Sequence, residues 1–103
     1  MLSDTQNQIL IARLTRTEGR RLKPYVDTVG KITIGVGRNL TDDGITSDEC
    51  DMLLRNDLAS ASEDAVKIPV FLNLDPIRQT VLVDMVFNMG LDSVKEFVNT
   101  LTS

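Results

Sequence analysis

Residues 17 to 38 read TEGRRLKPYVDTVGKITIGVGR, and this stretch leaves the chain few choices. Gly19 stops a preceding helix just after Glu18. A β-like run follows through Tyr25, and Pro24 within it is compatible with an edge strand. Val26-Asp27-Thr28-Val29-Gly30 holds a turn, for which Asp is a favoured residue. Ile32, Ile34 and Val36 then alternate with Thr33 and Gly35, the period of a strand. A helix must therefore end against a small antiparallel sheet over residues 20 to 40.

Three side chains in this stretch suit chemistry: Glu18, Asp27 and Thr33. They fall on a helix end, a turn and a strand. Hydrolysis of a glycosidic bond needs two carboxyls in different environments. One gives its proton to the leaving oxygen, and the other stays ionised to orient a water or to stabilise positive charge on the sugar. Glu18 follows a mostly apolar helix, whereas Asp27 sits in a polar turn beside Thr28 and Gly30. Thr33 is placed to hydrogen-bond a water near Asp27. Taken singly, each has an ordinary alternative: a surface Glu, a turn Asp, a strand Thr. Gly35 and Gly37 read either as a bulge or tight packing contact, or as a place where a sugar approaches bare backbone.

The pattern Glu18-Gly19, Leu22-Lys23, Tyr25, Asp27, Gly30 and Thr33-Ile34-Gly35-Val36-Gly37 resembles the active-site stretch of bacteriophage-type lysozymes, the endolysin muramidases. The resemblance extends from about Ile9 to Leu101. It implies an α+β, lysozyme-like fold. A mainly helical lobe and a small antiparallel β lobe would form the sides of a cleft. It implies Glu18, Asp27 and Thr33 as catalytic residues and peptidoglycan as substrate. It further implies sugar contacts at Gly37, Asn39, Phe87 and Asn88, and a structural ion pair between Arg38 and Asp57. No metal and no organic cofactor is implied.

The remaining chain reads as helices. Ser3 with Gln6 makes a capping box for a helix over 3–17. Asp42-Asp43-Gly44 reads as a turn. Thr46 with Glu49 makes a second capping box, for a helix from about Ser47 to Val66. Leu53, Leu54, Asp57, Leu58, Ala61 and Ala65 are expected on its inward side. Ile68-Pro69-Val70 breaks it. Asp75 caps the next helix and Pro76 occupies its first position. The run IRQTVLVDMVFNMG is apolar on nearly all sides, which predicts a central buried helix ended by Gly90. Ser93 with Glu96 makes a third capping box, for a helix over Val94 to Leu101. The expected organisation is one lysozyme-like domain over 1–103: a helix over 1–18, a β lobe over 19–45 and a helical lobe over 46–103.

Family lysozymes continue with several more helices, so the helical lobe is expected to be truncated relative to them. The apolar helix at 76–89 then lacks cover. That predicts a homo-oligomer burying it or a fragment of a longer protein. The missing helices and the acidic surface support an alternative function, a catalytically weak or inactive truncated lysozyme-like module that self-associates or binds glycan.

Net charge is −4 and there is no basic stripe, so no nucleic-acid partner is expected. The same charge predicts weak electrostatic capture of anionic cell-wall polymers. Cys50 is the only cysteine, which rules out an intramolecular disulfide, and it reads as a small helix residue. Met1 to Gln8 is polar with no apolar stretch, so no signal peptide is expected and no membrane insertion. The expected place is the cytoplasm at synthesis, with action on the wall after release.

Overall fold

The structure is a computed structural model that describes residues 1–102, with Thr102 by its backbone alone. The first helix, α1 (Asp4–Glu18), starts at Ser3. The Ser3 hydroxyl accepts from Gln6 N at 3.1 Å and the Gln6 side chain accepts from Ser3 N at 2.9 Å, so the expected capping box forms. Gly19 takes φ +78° and donates its N–H to Thr15 O, which closes the last turn and releases the chain into the sheet.

The sheet has three antiparallel strands in chain order: β1 (Arg21–Val26), β2 (Ile32–Gly35) and β3 (Arg38–Asn39). Val26 pairs with Ile32 and Tyr25 with Thr33, but Arg21 pairs with Gly35, so the register shifts between Arg21 and Tyr25. Pro24 falls within that irregular stretch, where its missing N–H costs no ladder bond. Beyond β3 lies a one-turn helix, α2 (Leu40–Asp43), closed by Gly44. The sequence expectation of a plain turn at Asp42-Asp43-Gly44 is corrected here. Asn39 supplies the cap that makes it a helix, its side chain accepting from Asp42 N.

The chain divides into two compact units, Met1–Thr46 and a second from Ser47 onward. In the first, Thr33 is the one buried side chain among the described residues. Backbone and turn hydrogen bonds hold this unit rather than a hydrophobic core. Charge is divided as well. The first unit carries seven Lys and Arg against five Asp and Glu, and the second four against ten.

The hydrophobic core belongs to the second unit. It contains α3 (Ser47–Val66), a 3₁₀ turn (Phe71–Asn73), α4 (Pro76–Met89) and α5 (Leu91–Thr102). Ala61 and Ala65 lie one turn apart on α3, so they share a face, and their small side chains let α4 approach. Leu82 and Val86 of α4 meet them, with Ile68, Phe71 and Val94 completing the cluster. Asp75 caps α4 by accepting from Arg78 N at 2.8 Å, and Pro76 sits at the first turn, as expected.

Three expectations for this unit need correction. Leu53, Leu54 and Leu58 are exposed rather than inward, because within the unit α3 turns its alanine face to the core. The apolar helix α4 is buried on one side only: Leu82 and Val86 are buried, whereas Ile77, Val81, Phe87 and Met89 are exposed. Helix α5 starts at Leu91, directly after Gly90 (φ +84°), so Ser93 lies inside the helix and is not its cap. No described helix is long and apolar enough to cross a membrane.

Candidate active site

The turn between β1 and β2 is built around one carboxylate. Asp27 N donates to Lys31 O at 2.9 Å, and Gly30 N donates to Asp27 O at 3.1 Å. The side chain then folds back on the same turn. Asp27 Oδ1 accepts from Val29 N at 3.0 Å and from Lys31 N at 2.8 Å. These two bonds fix the carboxylate plane and leave Oδ2 facing Thr33, whose Oγ1 lies 3.5 Å away.

Strand alternation puts Thr33 on the covered side of the sheet, between Tyr25 of β1 and Asn39 of β3. It is only 4% exposed, so its hydroxyl must be satisfied inside the sheet, and Oγ1 donates to Lys31 O at 3.2 Å. A hydroxyl has one proton and two lone pairs. With the proton directed to Lys31 O, the oxygen can accept from a water that also donates to Asp27 Oδ2. The pair is arranged to orient such a water.

Glu18, the last residue of α1, is exposed and makes no hydrogen bond or ion pair among the described residues. Its side chain lies along the bare backbone of Gly37. A Cβ built at Gly37 would stand 3.6 Å from Glu18 Oε2 and 3.7 Å from its Cγ. Gly37 has φ +80° and Gly35 has φ +68°, on either side of Val36 in the loop that joins β2 to β3. Both positions demand left-handed backbone, which L side chains rarely adopt. The glycines flagged by the sequence therefore shape the loop against Glu18.

Of the other expected site residues, Asn39 is engaged within its own unit. Its Oδ1 caps α2 and its Nδ2 donates to Asp42 Oδ2 at 2.9 Å. Arg38 Nη1 donates to Gly44 O at 3.2 Å. In the second unit, Asp57 and Phe87 line an open depression of about 380 Å³ with Ser60, Ala61, Asp64 and Val86. Asn88 turns back on its own helix, its Nδ2 donating to Asp84 O at 2.9 Å and to Asp84 Oδ1 at 3.1 Å. Cys50 is an exposed free thiol.

Sequence reasoning missed a group of residues behind the turn. Ile32 N donates to Thr41 Oγ1 at 2.8 Å, and Lys31 Nζ pairs with Asp42 Oδ1 at 3.0 Å. The signal available was Asn39-x-x-Asp42, a capping pattern that places a helix, and with it Thr41, beside the start of β2.

A glutamate at a helix end, set against a glycine loop of the small sheet that also carries an aspartate and a threonine, defines the lysozyme-like α+β class. The sequence profile of the phage lysozyme family matches residues 15–101. The chain belongs to the phage lysozyme family, whose members are peptidoglycan-hydrolysing glycoside hydrolases. It is 39% identical over 88 residues to the endolysin of Salmonella phage P22, an alignment covering 78% of this chain and 60% of that protein. It is 30% identical over 114 residues to the "Probable T4-type lysozyme 1" of Dictyostelium discoideum, covering 82% of this chain and 67% of that protein. It is also 33% identical over 129 residues to the pre-baseplate central spike protein Gp5 of Enterobacteria phage T4, covering 97% of this chain and 22% of that larger protein. The chain thus spans about two thirds or less of the length of these relatives.

Proposed function

We propose that the protein is a muramidase that hydrolyses the β-1,4 bond between N-acetylmuramic acid and N-acetylglucosamine in peptidoglycan. The observation that carries this reading is the fixed Asp27–Thr33 pair on the β1–β2 hairpin, with Glu18 against the glycine loop that joins β2 to β3 of the same sheet. Glu18 gives its proton to the glycosidic oxygen as the bond from the anomeric carbon to that oxygen breaks. Asp27 stabilises the positive charge that develops on the sugar, or takes a proton from the attacking water. Thr33 orients that water, whose oxygen bonds to the anomeric carbon. Exposed backbone at Gly37 contributes a sugar contact in the first unit; Phe87 and Asn88, considered within the second unit alone, are sugar contacts of their own. The test is the chemistry of the new ends released from purified peptidoglycan. Borohydride reduction followed by mass analysis is expected to find reduced muramic acid. Reduced glucosamine ends alone would assign the protein to the other glycosidic bond.

A second reading, a self-associating module that is catalytically weak or inactive, draws on the exposed Ile77, Val81, Phe87 and Met89 of α4. Exposed large apolar side chains favour association where they meet in one patch. A homo-oligomer covering this face predicts a light-scattering mass at least twice that of the 11.4 kDa chain, and a monomer mass at high concentration removes this reading.

A further inference from the structure

Lys31 is the hub of the turn, and its backbone does three things at once. Its N–H holds Asp27 Oδ1 at 2.8 Å, its carbonyl accepts from Asp27 N at 2.9 Å, and the same carbonyl accepts from Thr33 Oγ1 at 3.2 Å. Wherever the Lys31 peptide moves, both the aspartate and the threonine move with it. What holds that peptide from behind is α2. Thr41 Oγ1 takes the N–H of Ile32, the next residue, at 2.8 Å, and Asp42 Oδ1 takes Lys31 Nζ at 3.0 Å. Asp42 is itself held. Its N–H goes to Asn39 Oδ1 and its Oδ2 accepts from Asn39 Nδ2.

The Lys31–Asp42 pair has side chains 38% and 50% exposed, and pairs that exposed contribute little to folding. The bonds do, however, anchor two successive residues of the β2 start, and do so on the segment that bears the Asp27–Thr33 geometry. The hydrophobic core offers no alternative anchor, since this unit buries only Thr33 among its described residues.

We infer that Thr41 and Asp42 are positioning residues, which clamp the Lys31 peptide so that Asp27 Oδ2 and Thr33 Oγ1 stay in register for one water. The catalytic consequence rests on the muramidase reading, whereas the clamp itself does not. A misplacement of reacting groups by about 1 Å can cost on the order of a hundredfold in rate without altering substrate contacts.

The test uses the full chain with Thr41→Val plus Asp42→Ala, and Thr41→Ser as the conservative control. On soluble glycan strands, kcat is expected to fall about tenfold to a hundredfold in the double variant, with KM within about twofold of the parent. Thr41→Ser keeps the acceptor oxygen and is expected to retain kcat within about twofold. A second readout needs no substrate. Amide hydrogen exchange at Val29 and Lys31, the donors to Asp27 Oδ1, is expected to quicken about tenfold in the double variant as the turn opens locally. Exchange at Gly19, whose N–H caps α1, serves as the unchanged reference.

Unchanged exchange at Val29 and Lys31 overturns the clamp, whatever the activity. Quickened exchange with parental kcat overturns its catalytic role. A fall in kcat that Thr41→Ser shares in full also overturns it, because that variant preserves the bond. If the parent protein hydrolyses nothing, the muramidase reading fails by itself, and the exchange data alone decide the clamp.

Discussion

Glu18→Gln is expected to remove muropeptide release while leaving the protein folded. A positioned general acid contributes about a hundredfold to ten-thousandfold to rate. Gln keeps the length and shape of the side chain but has no acidic proton to give. The fold has little reason to notice the change. Glu18 is exposed at the end of α1, makes no hydrogen bond or ion pair among the described residues, and both residue types have similar helix propensity. The packing against Gly37 survives, because Gln keeps Cγ and Cδ and sets an amide group of the same shape where the carboxylate stood. The measurement is soluble muropeptide released from purified peptidoglycan, read beside a thermal melt. Loss of release at an unchanged melting point places the acid at Glu18. Release equal to the parent's would assign the proton to another residue.

Ile68→Ala is expected to be the most damaging single truncation in the second unit. Ile68 is 1% exposed and lies where the end of α3 leads into the 3₁₀ turn, its N–H bonded to Ala65 O and its carbonyl to Phe71 N. It belongs to the buried cluster with Ala61, Ala65, Phe71, Leu82, Val86 and Val94. Deleting three carbons from such a site costs about 2–5 kcal/mol. That is a large share of the roughly 5–15 kcal/mol that holds an ordinary domain together. Ile77, 78% exposed on α4, provides the contrast. Ile77→Ala is expected to change stability by no more than about 0.5 kcal/mol. Urea titration of both variants reads the difference as a shift of midpoint. Equal shifts would mean that the cluster around Ile68 is not the stabilising core.

Much of the architecture was legible because it is written in local chemistry. Ser3 and Gln6 satisfy each other's backbone donors, so a helix start is a property of four residues, Ser3 to Gln6. Asp75-Pro76 is just as local, and Gly19 and Gly90 end helices by backbone freedom alone. The same kind of reasoning failed at Ser93. Its capping pattern with Glu96 is genuine as sequence, but Gly90 lets the chain re-enter a helix at once, and α5 has begun before Ser93 is reached. At α2 the cap was overlooked because Asn39 was assigned to sugar contact. Burial was the weakest inference. Periodicity marks a helix face as apolar but does not say what meets it, and so Leu53, Leu54 and Leu58 were expected inside although their unit leaves them exposed.

The candidate site divides in the same way. Asp27 and Thr33 could be paired from spacing on a hairpin, and the family pattern named their roles. That Asp27 spends one oxygen on its own turn is local too, since both donors lie within four residues. Thr41 was invisible because its bond to Ile32 spans nine positions and depends on where α2 lands. A hydroxyl that serves only to hold a backbone N–H has no spacing signature of its own.

The partition of charge changes how the protein should meet a polyanion. A net charge of −4 describes an object that an anionic wall repels. Yet Glu18, Asp27 and Thr33 all lie in the unit where Lys and Arg outnumber Asp and Glu, and the acidic excess is confined to the residues from Ser47 onward. At physiological ionic strength, fields fade over about 8 Å, so a bound strand responds to its near neighbours and not to the sum over the chain. Toward one and the same polymer, the two halves of this protein have opposite salt responses. Added salt weakens the attraction of the first half and relieves the repulsion of the second.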